Sequence, residues 1–496
     1  MAEYKTLFGV AVLPAMMLAA IVLATLSRRL RDLFFFLLVL LLIRTHHLDV
    51  NFVSREWYRG TTRGFEVSLL DVLSVGVCFG SLLSPAPGRA RWYWPASLGL
   101  MLVFFLYACF SVSISDPQLF GLFELSKMVR GLIVFLGAAL YVRSERELRI
   151  LVVALACVAC WQAYVVLDQR YHLGMHRVEG TIGNPNSLSM FLCMIAPLFV
   201  AALNAEFPRW VKSLCIAAIL CAALAEILTI SRAGLATLML VMLGTTVACV
   251  SFKITPKKIL VSAAVLLVAV GMFAKAWHTI QARYQESSLE EEYKGHGQNR
   301  GYYLVIADAI AHDRLFGVGL NNWSYWVSNE YGPKLGWRFV PYIGTEKWPS
   351  DKVPPGRNLD AAQAAPAHNL GALTVGELGI PGLLIFCTLW FRWFQMGASF
   401  LRQRTTDPMS RLGAGIFFCT WGIFLQSITE WVYRLTPIFF TFNILMGTLA
   451  SLYYAKRQRK RLAAEATEET EATEETEETE KPDEFVERGE FARGKT

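Results

Sequence analysis

Two side chains in this sequence stand where an apolar chain has no ordinary use for them. Arg232 lies in ILTISRAGLATL, with apolar residues on both sides and no polar connector of any length. A guanidinium there is costly without a partner, which marks it as a functional candidate; the competing reading is an arginine that snorkels to lipid headgroups. His368 follows APA and precedes the apolar run NLGALTVGELGIPGLL, at the mouth of a span. Imidazole is the side chain whose ordinary pKa suits taking a proton near neutrality, so a base is its functional reading and an interfacial histidine its structural one. His368 also closes a polar island, residues 277–368, that contains Arg300 and a scatter of Trp and Tyr. In a chain otherwise matched to lipid, such an island is where water-phase chemistry can take place.

Arg300 opens RGYYLVIADAIAHD, whose apolar positions Tyr303, Ile306, Ala307 and Ile310 recur at helical spacing. The spacing predicts an amphipathic helix on the outer leaflet, ended before the turn FGVG. Gly317 and Gly319 allow close backbone approach and read as structural support, a lone GxG being weak evidence for phosphate binding. Asn321, Asn322 and Trp323 in NNWSYW offer amide and aromatic groups to a sugar, or serve as an interfacial aromatic belt. A second outward segment, HRVEGTIGNPNSLSMF, carries Arg177 and the turn GNPN with Asn184 and Asn186, and could line the same cavity. Glu377, nine residues past His368, reads as a structural partner for an intramembrane arginine or a backbone donor. Gly376, Gly379, Gly382 and Pro381 around it predict close packing and a kink. Further charges at Asp71, Glu124, Lys127, Arg130, Asp168, Glu226, Glu430 and Arg434 interrupt apolar runs, and Glu124, Lys127 and Arg130 can share one helix face as an ion-pair cluster.

The elements that must position these residues are membrane spans. With 54% hydrophobic and 18% charged residues in 496, the chain is too apolar for a soluble protein of its length. An all-α polytopic membrane protein of about 12–13 transmembrane helices is expected, each near the ~20 residues that cross the hydrocarbon, with a short second run at 33–44. Residues 1–276 supply about ten of them and 368–455 about three. Residues 277–367 form a large loop with short interfacial helices, and 456–496 a basic and then acidic disordered tail. That tail holds 13 acidic and 4 basic side chains from Glu465 onward, so the whole-chain charge of +7 leaves +16 on residues 1–464. The basic connectors SRRLRD, PGRARW, RSERELR, KITPKK, RQRTTDPMSR and KRQRKR alternate with poorer ones, which puts them in the cytoplasm and the island outside. The amino terminus is also outside if 33–44 spans, and inside if that run is re-entrant. All ten Cys fall in apolar stretches, which supports neither a disulfide framework nor a zinc site, and no basic patch interleaved with aromatics points to nucleic acid.

GTIGNPN, a span ending in TISRAG, an outer loop with GVGLNNW and finally AHNLGALTVGELGIPG together resemble the O-antigen ligase and O-antigen polymerase superfamily of bacterial membrane glycosyltransferases. The resemblance covers roughly residues 65–455, and SRAG and HN with E-x-G-x-x-G are its most specific pieces. It implies two essential arginines and a histidine near the outer face, corresponding here to Arg232, Arg300 and His368, with Arg283, Arg314, Arg338 and Arg357 as competitors for the second arginine. It further implies an undecaprenyl-diphosphate-linked glycan as donor and an acceptor hydroxyl, on a lipid A core or another glycan, as partner. The two guanidiniums would hold the diphosphate and His368 would take the acceptor proton, without metal or cofactor, in the bacterial inner membrane with the site facing the periplasm. Asn369, beside His368 in the HN motif, would contact substrate. The pattern inclines to a ligase. A polymerase using a second lipid-linked repeat as acceptor, and a transporter of the lipid-linked glycan, stay open; the second lacks the internal repeat that transporters commonly show.

Overall fold

A backbone in hydrocarbon has no water to bond, so each apolar run satisfies its own N–H and C=O groups by coiling. The computed structural model describes residues 8–44, 49–249 apart from 56, 87 and 88, 300–339 apart from 338, 363–401 and 405–479, with Gly271 and Gln281. The expected span at 258–276, the connector KITPKK and the competing Arg283, Arg338 and Arg357 lie outside the described residues. Helix makes up 76% of the structure, and strand among the described residues is confined to one antiparallel hairpin, β1 (Asp49–Phe52) with β2 (Phe65–Ser68). The helices are α1 (Leu13–Leu26), α2 (Arg28–Leu41), α3 (Leu69–Leu83), α4 (Leu98–Ser113), α5 (Gln118–Tyr141), α6 (Glu145–Tyr171), α7 (Pro185–Leu203), α8 (Arg209–Thr229) and α9 (Arg232–Cys249). After the undescribed stretch come α10 (Arg300–Asp313), α11 (Leu370–Ala398), α12 (Pro408–Ser427) and α13 (Thr436–Thr479). Six of these are long and apolar enough to cross a membrane, and α1, α3 and α4 are shorter apolar helices.

Small residues let the helices approach where lipid offers no hydrophobic drive for association. A Cβ at Gly80 of α3 would stand 2.6 Å from that of Ala24 on α1, and one at Gly415 of α12 would stand 2.6 Å from that of Ala201 on α7. The most enclosed helix is α7, which packs against α8, α9 and α12.

The helix ends sort by charge. Arg28 and Arg89 both pair with Glu147, at 2.9 and 3.2 Å, Arg146 pairs with Asp32, and Arg459 pairs with Asp407 at 3.4 Å. Tyr93 stacks on Tyr454 and lies under Arg143, which joins these pairs into one end of the bundle. The described basic connectors therefore meet at that end, and the polar loop occupies the other. The run at 33–44 is part of α2, packed along α3 and α6. The turn at Ser27 reverses the chain, so the start of α1 lies at the loop end, where Leu13 packs on Val67 of β2.

Two expectations are corrected. The apolar stripe of α10 is Tyr302, Ile306, Ala307 and Ile310, and it is buried on Trp323 and on Leu373 of α11 rather than offered to a leaflet. The acidic stretch 465–479, expected to be disordered, continues α13 as helix, in keeping with the high helix propensity of Ala and Glu.

The break in α11 matters most for the site. Gly379 has φ 69°, ψ −174°, which opens the helix one turn below Gly376. The loop backbone fills the opening: Val318 N donates to Gly376 O at 2.9 Å, Gly319 N to Glu377 O at 2.8 Å, and Ile380 N donates to Leu315 O at 3.2 Å. Tyr107 Oη satisfies Leu378 O at 2.6 Å. Gly317 sits in the left-handed region at φ 74°, and a Cβ there would run into the Glu377 backbone. Gly317→Ala is accordingly expected to lower the unfolding midpoint in detergent, by at least the roughly 1–2 kcal/mol of left-handed strain. An unchanged midpoint would show that this contact is dispensable.

Candidate active site

The site is assembled on Glu430, in the short link between α12 and α13. Its Oε2 lies 2.7 Å from His368 Nδ1, and its Oε1 accepts from Arg300 Nη2 at 3.0 Å and from Asn186 Nδ2 at 2.6 Å. Asn186 Oδ1 accepts from Arg177 Nη2 at 3.2 Å, and Arg177 Nε reaches Thr229 O at 3.4 Å. One carboxylate thus ties together the starts of α7, α10 and α11, and through Arg177 the end of α8.

Local sequence explains how each group is delivered. Asn184 caps α7, its Oδ1 accepting from Asn186 N at 2.9 Å and Ser187 N at 3.2 Å, with Pro185 in the first turn. Asn369 caps α11 by accepting from Ala372 N at 2.8 Å, and its Nδ2 donates to Ile428 O at 2.8 Å, two residues before Glu430. Between α8 and α9 the turn is made by Ile230 at φ 56° and Ser231, whose Oγ accepts from Gly234 N at 3.3 Å. That turn sets Arg232 at the first position of α9, three residues past the Thr229 carbonyl that Arg177 contacts. The amino ends of α7, α9, α10 and α11 all open at the loop end, adding their partial positive charge to Arg177, Arg232 and Arg300.

A carboxylate only accepts, so the His368–Glu430 contact puts the imidazole proton on Nδ1 and leaves the Nε2 lone pair for another proton. The Glu430 side chain is 3% exposed while that of His368 is 35% exposed, so the pair has a buried anchor and a reachable end. The Tyr303 ring centroid lies 5.4 Å from that of His368. Burial, and after it the Glu430 carboxylate, pushes the Tyr303 hydroxyl up to about 12, so it stays protonated and can donate. Next to Glu430 in sequence, Trp431 lines, with Ile182, a cavity of about 560 Å³ that extends to β1 and Arg63.

Residues 217–387 match a family model described as O-antigen ligase. This match, over about a third of the chain, supports the O-antigen ligase superfamily. Members are glycosyltransferase-like membrane enzymes, ligases and polymerases. No curated protein matches the chain. The O-antigen ligase segment contains Arg232, Arg300 and His368, but Glu430, Arg177 and Asn186 lie outside it.

Not every expected site residue joins the cluster. His368, Arg300, Arg177 and Asn186 are brought together, and Arg232 is set at the neighbouring helix start. Asn184 and Asn369, expected to touch substrate, use their side-chain oxygens to cap α7 and α11. Asn321, Asn322 and Trp323, expected on a sugar-facing surface, are 0–1% exposed. Asn321 Nδ2 donates to Thr62 O at 2.9 Å and Phe120 O at 2.8 Å, and its Oδ1 accepts from Thr61 N at 2.8 Å. Asn322 Nδ2 donates to Pro117 O at 2.9 Å, and Trp323 Nε1 to Ala365 O at 3.2 Å. These groups lock the loop to the bundle, and Gly317 and Gly319, expected as structural support, serve the same latch.

Glu377 accepts from Arg434 Nη1 at 2.6 Å and from Trp323 N at 3.4 Å. Arg434 Nε also reaches Glu124 Oε1 at 3.2 Å, and Glu124 pairs with Lys127 at 2.8 Å. Arg130 turns away from this group to Asp71, at 2.7 Å. Glu430 is the residue that the sequence reading left without a role. The signal was present: an acid between two apolar runs is rarely idle.

Proposed function

We propose that the protein transfers a glycan from undecaprenyl diphosphate to an acceptor hydroxyl, as an O-antigen ligase, on the membrane face away from the cytosol. The observation that carries this reading is Glu430 holding His368 and Arg300 within one hydrogen-bonded unit. The accumulation of Lys and Arg at the opposite end of the bundle supports the orientation.

Arg232 and Arg300 hold the donor's diphosphate, and their charge stabilises the negative charge that develops on the leaving oxygen. His368 Nε2 takes the proton of the acceptor hydroxyl as its oxygen bonds to the anomeric carbon. The bond from that carbon to the diphosphate oxygen breaks, the electron pair leaves with undecaprenyl diphosphate, and direct displacement inverts the anomeric centre. Glu430 fixes the imidazole tautomer and stabilises the imidazolium that forms. The cavity beside Trp431 offers room for sugar.

Purified protein with lipid-linked glycan and a lipid A core acceptor is expected to release undecaprenyl diphosphate without added metal and equally in EDTA. Complete loss in EDTA would defeat the arginine mechanism. Analysis of the product separates ligase from polymerase: a single transfer onto the foreign acceptor supports the ligase, and a ladder still attached to undecaprenol replaces it with the polymerase.

A further inference from the structure

The end of the bundle opposite the active site holds a second, independent cluster of guanidiniums. Where the α1–α2 turn meets the end of α3 and the α5–α6 turn, a cavity of about 240 Å³ is lined by Arg28, Arg31, Arg89 and Arg143, with Glu147 as the one carboxylate in the lining. Glu147 is already saturated: it accepts from Arg28 at 2.9 Å, Arg89 at 3.2 Å, Ser144 Oγ at 2.6 Å and Arg143 N at 3.1 Å. Asp32, next in sequence to Arg31, is taken by Arg146 and by Tyr141 at 2.7 Å.

Arg31 is the deciding group. It is 7% exposed, its Nη1 donates to Ser84 O at 2.8 Å, and its Nε is buried without a hydrogen-bond partner. Arg143 Nε is buried without a partner as well. A guanidinium donor withdrawn from water and given no acceptor is costly, and it implies an acceptor that arrives from outside. Two such donors beside two more guanidiniums suit the several oxygens of a phosphate group better than a single carboxylate. The rim adds a further specification. Leu26 lines the same space and is 80% exposed, and Leu83, at the end of α3, is 56% exposed. An apolar rim beside a cationic pocket at a membrane surface accommodates an acyl chain alongside a headgroup.

We infer that this pocket binds a phosphate-bearing anion, with the headgroup of an anionic phospholipid from the adjacent leaflet as the favoured source and free phosphate as the other. The full chain, purified in neutral detergent, is to be titrated with phosphatidylglycerol, phosphatidylcholine or inorganic phosphate, reading the thermal unfolding midpoint and the retained adducts by native mass spectrometry. Phosphatidylglycerol is expected to raise the midpoint and be retained where phosphatidylcholine is not. Arg31→Gln and Arg89→Gln are each expected to weaken its apparent affinity about tenfold, the loss of one charge-assisted contact, while Arg209→Gln at the same end leaves it unchanged. Arg89 is outside any helix, so its variant reports even where Arg31→Gln fails to fold. A response to inorganic phosphate that phosphatidylglycerol does not exceed identifies the soluble ion as the source. Equal responses to the two lipids with none to phosphate, no response to any probe, or unchanged affinity in Arg89→Gln overturns the inference.

Discussion

Replacing His368 with Ala is expected to cut turnover by about 10²–10⁴-fold, the usual contribution of a positioned general base, while donor affinity largely survives. The split follows from position: His368 is held by a buried carboxylate with its own side chain partly exposed, and it is not one of the groups assigned to the diphosphate. Glu430→Gln tests the same unit from behind. It keeps the volume but removes the negative charge that orients Nδ1–H and anchors Arg300, so turnover falls by a comparable factor and donor affinity also changes. Arg232→Ala is expected to weaken both donor affinity and turnover. Single-turnover rates together with donor titrations check all three variants, and a His368→Ala protein with normal turnover would require a different base.

The largest effect on stability is expected at Arg434. Its guanidinium bridges Glu124 and Glu377, whose side chains are 4% and 2% exposed, and its backbone oxygen accepts from Lys127 Nζ at 2.7 Å. Arg434→Met fills similar space but leaves Glu377 buried without its cation, which costs about 3–5 kcal/mol. The fall in unfolding midpoint measures it. In the Arg434→Met/Glu377→Gln double variant part of that loss should be recovered, because the uncompensated charge is gone. A midpoint for Arg434→Met equal to that of the parent would mean that the ion cluster does not hold the loop end together.

Much of the architecture could be read from sequence because lipid imposes a simple rule: an apolar run of sufficient length coils. Arg232 and His368 stood out for the same reason, since each interrupts or borders such a run, whereas Arg300 came from the family resemblance, with Arg283, Arg314, Arg338 and Arg357 as competitors. What escaped was pairing between residues far apart in sequence. Nothing in ITEWVYR says that Glu430 faces His368, 62 residues earlier, rather than one of several intramembrane arginines. Asn321, Asn322 and Trp323 misled for a related reason. Amide and indole groups suit a sugar and a buried backbone equally well, and only the tertiary contacts of the loop with Thr62, Phe120 and Ala365 decide between them. The short β1–β2 hairpin was hidden because four alternating residues per strand are a weak signal.

The bonds from Val318 and Gly319 into the open turn of α11 also bear on how this protein can be taken apart. Excised as a water-soluble fragment, the loop would lose the acceptors that shape it. Deprived of the loop, the spans would keep bare carbonyls at a depth where no solvent replaces them. Chimeras between members of the superfamily should therefore carry the loop and α11 together, with their junctions placed before Arg300 and after Ala398.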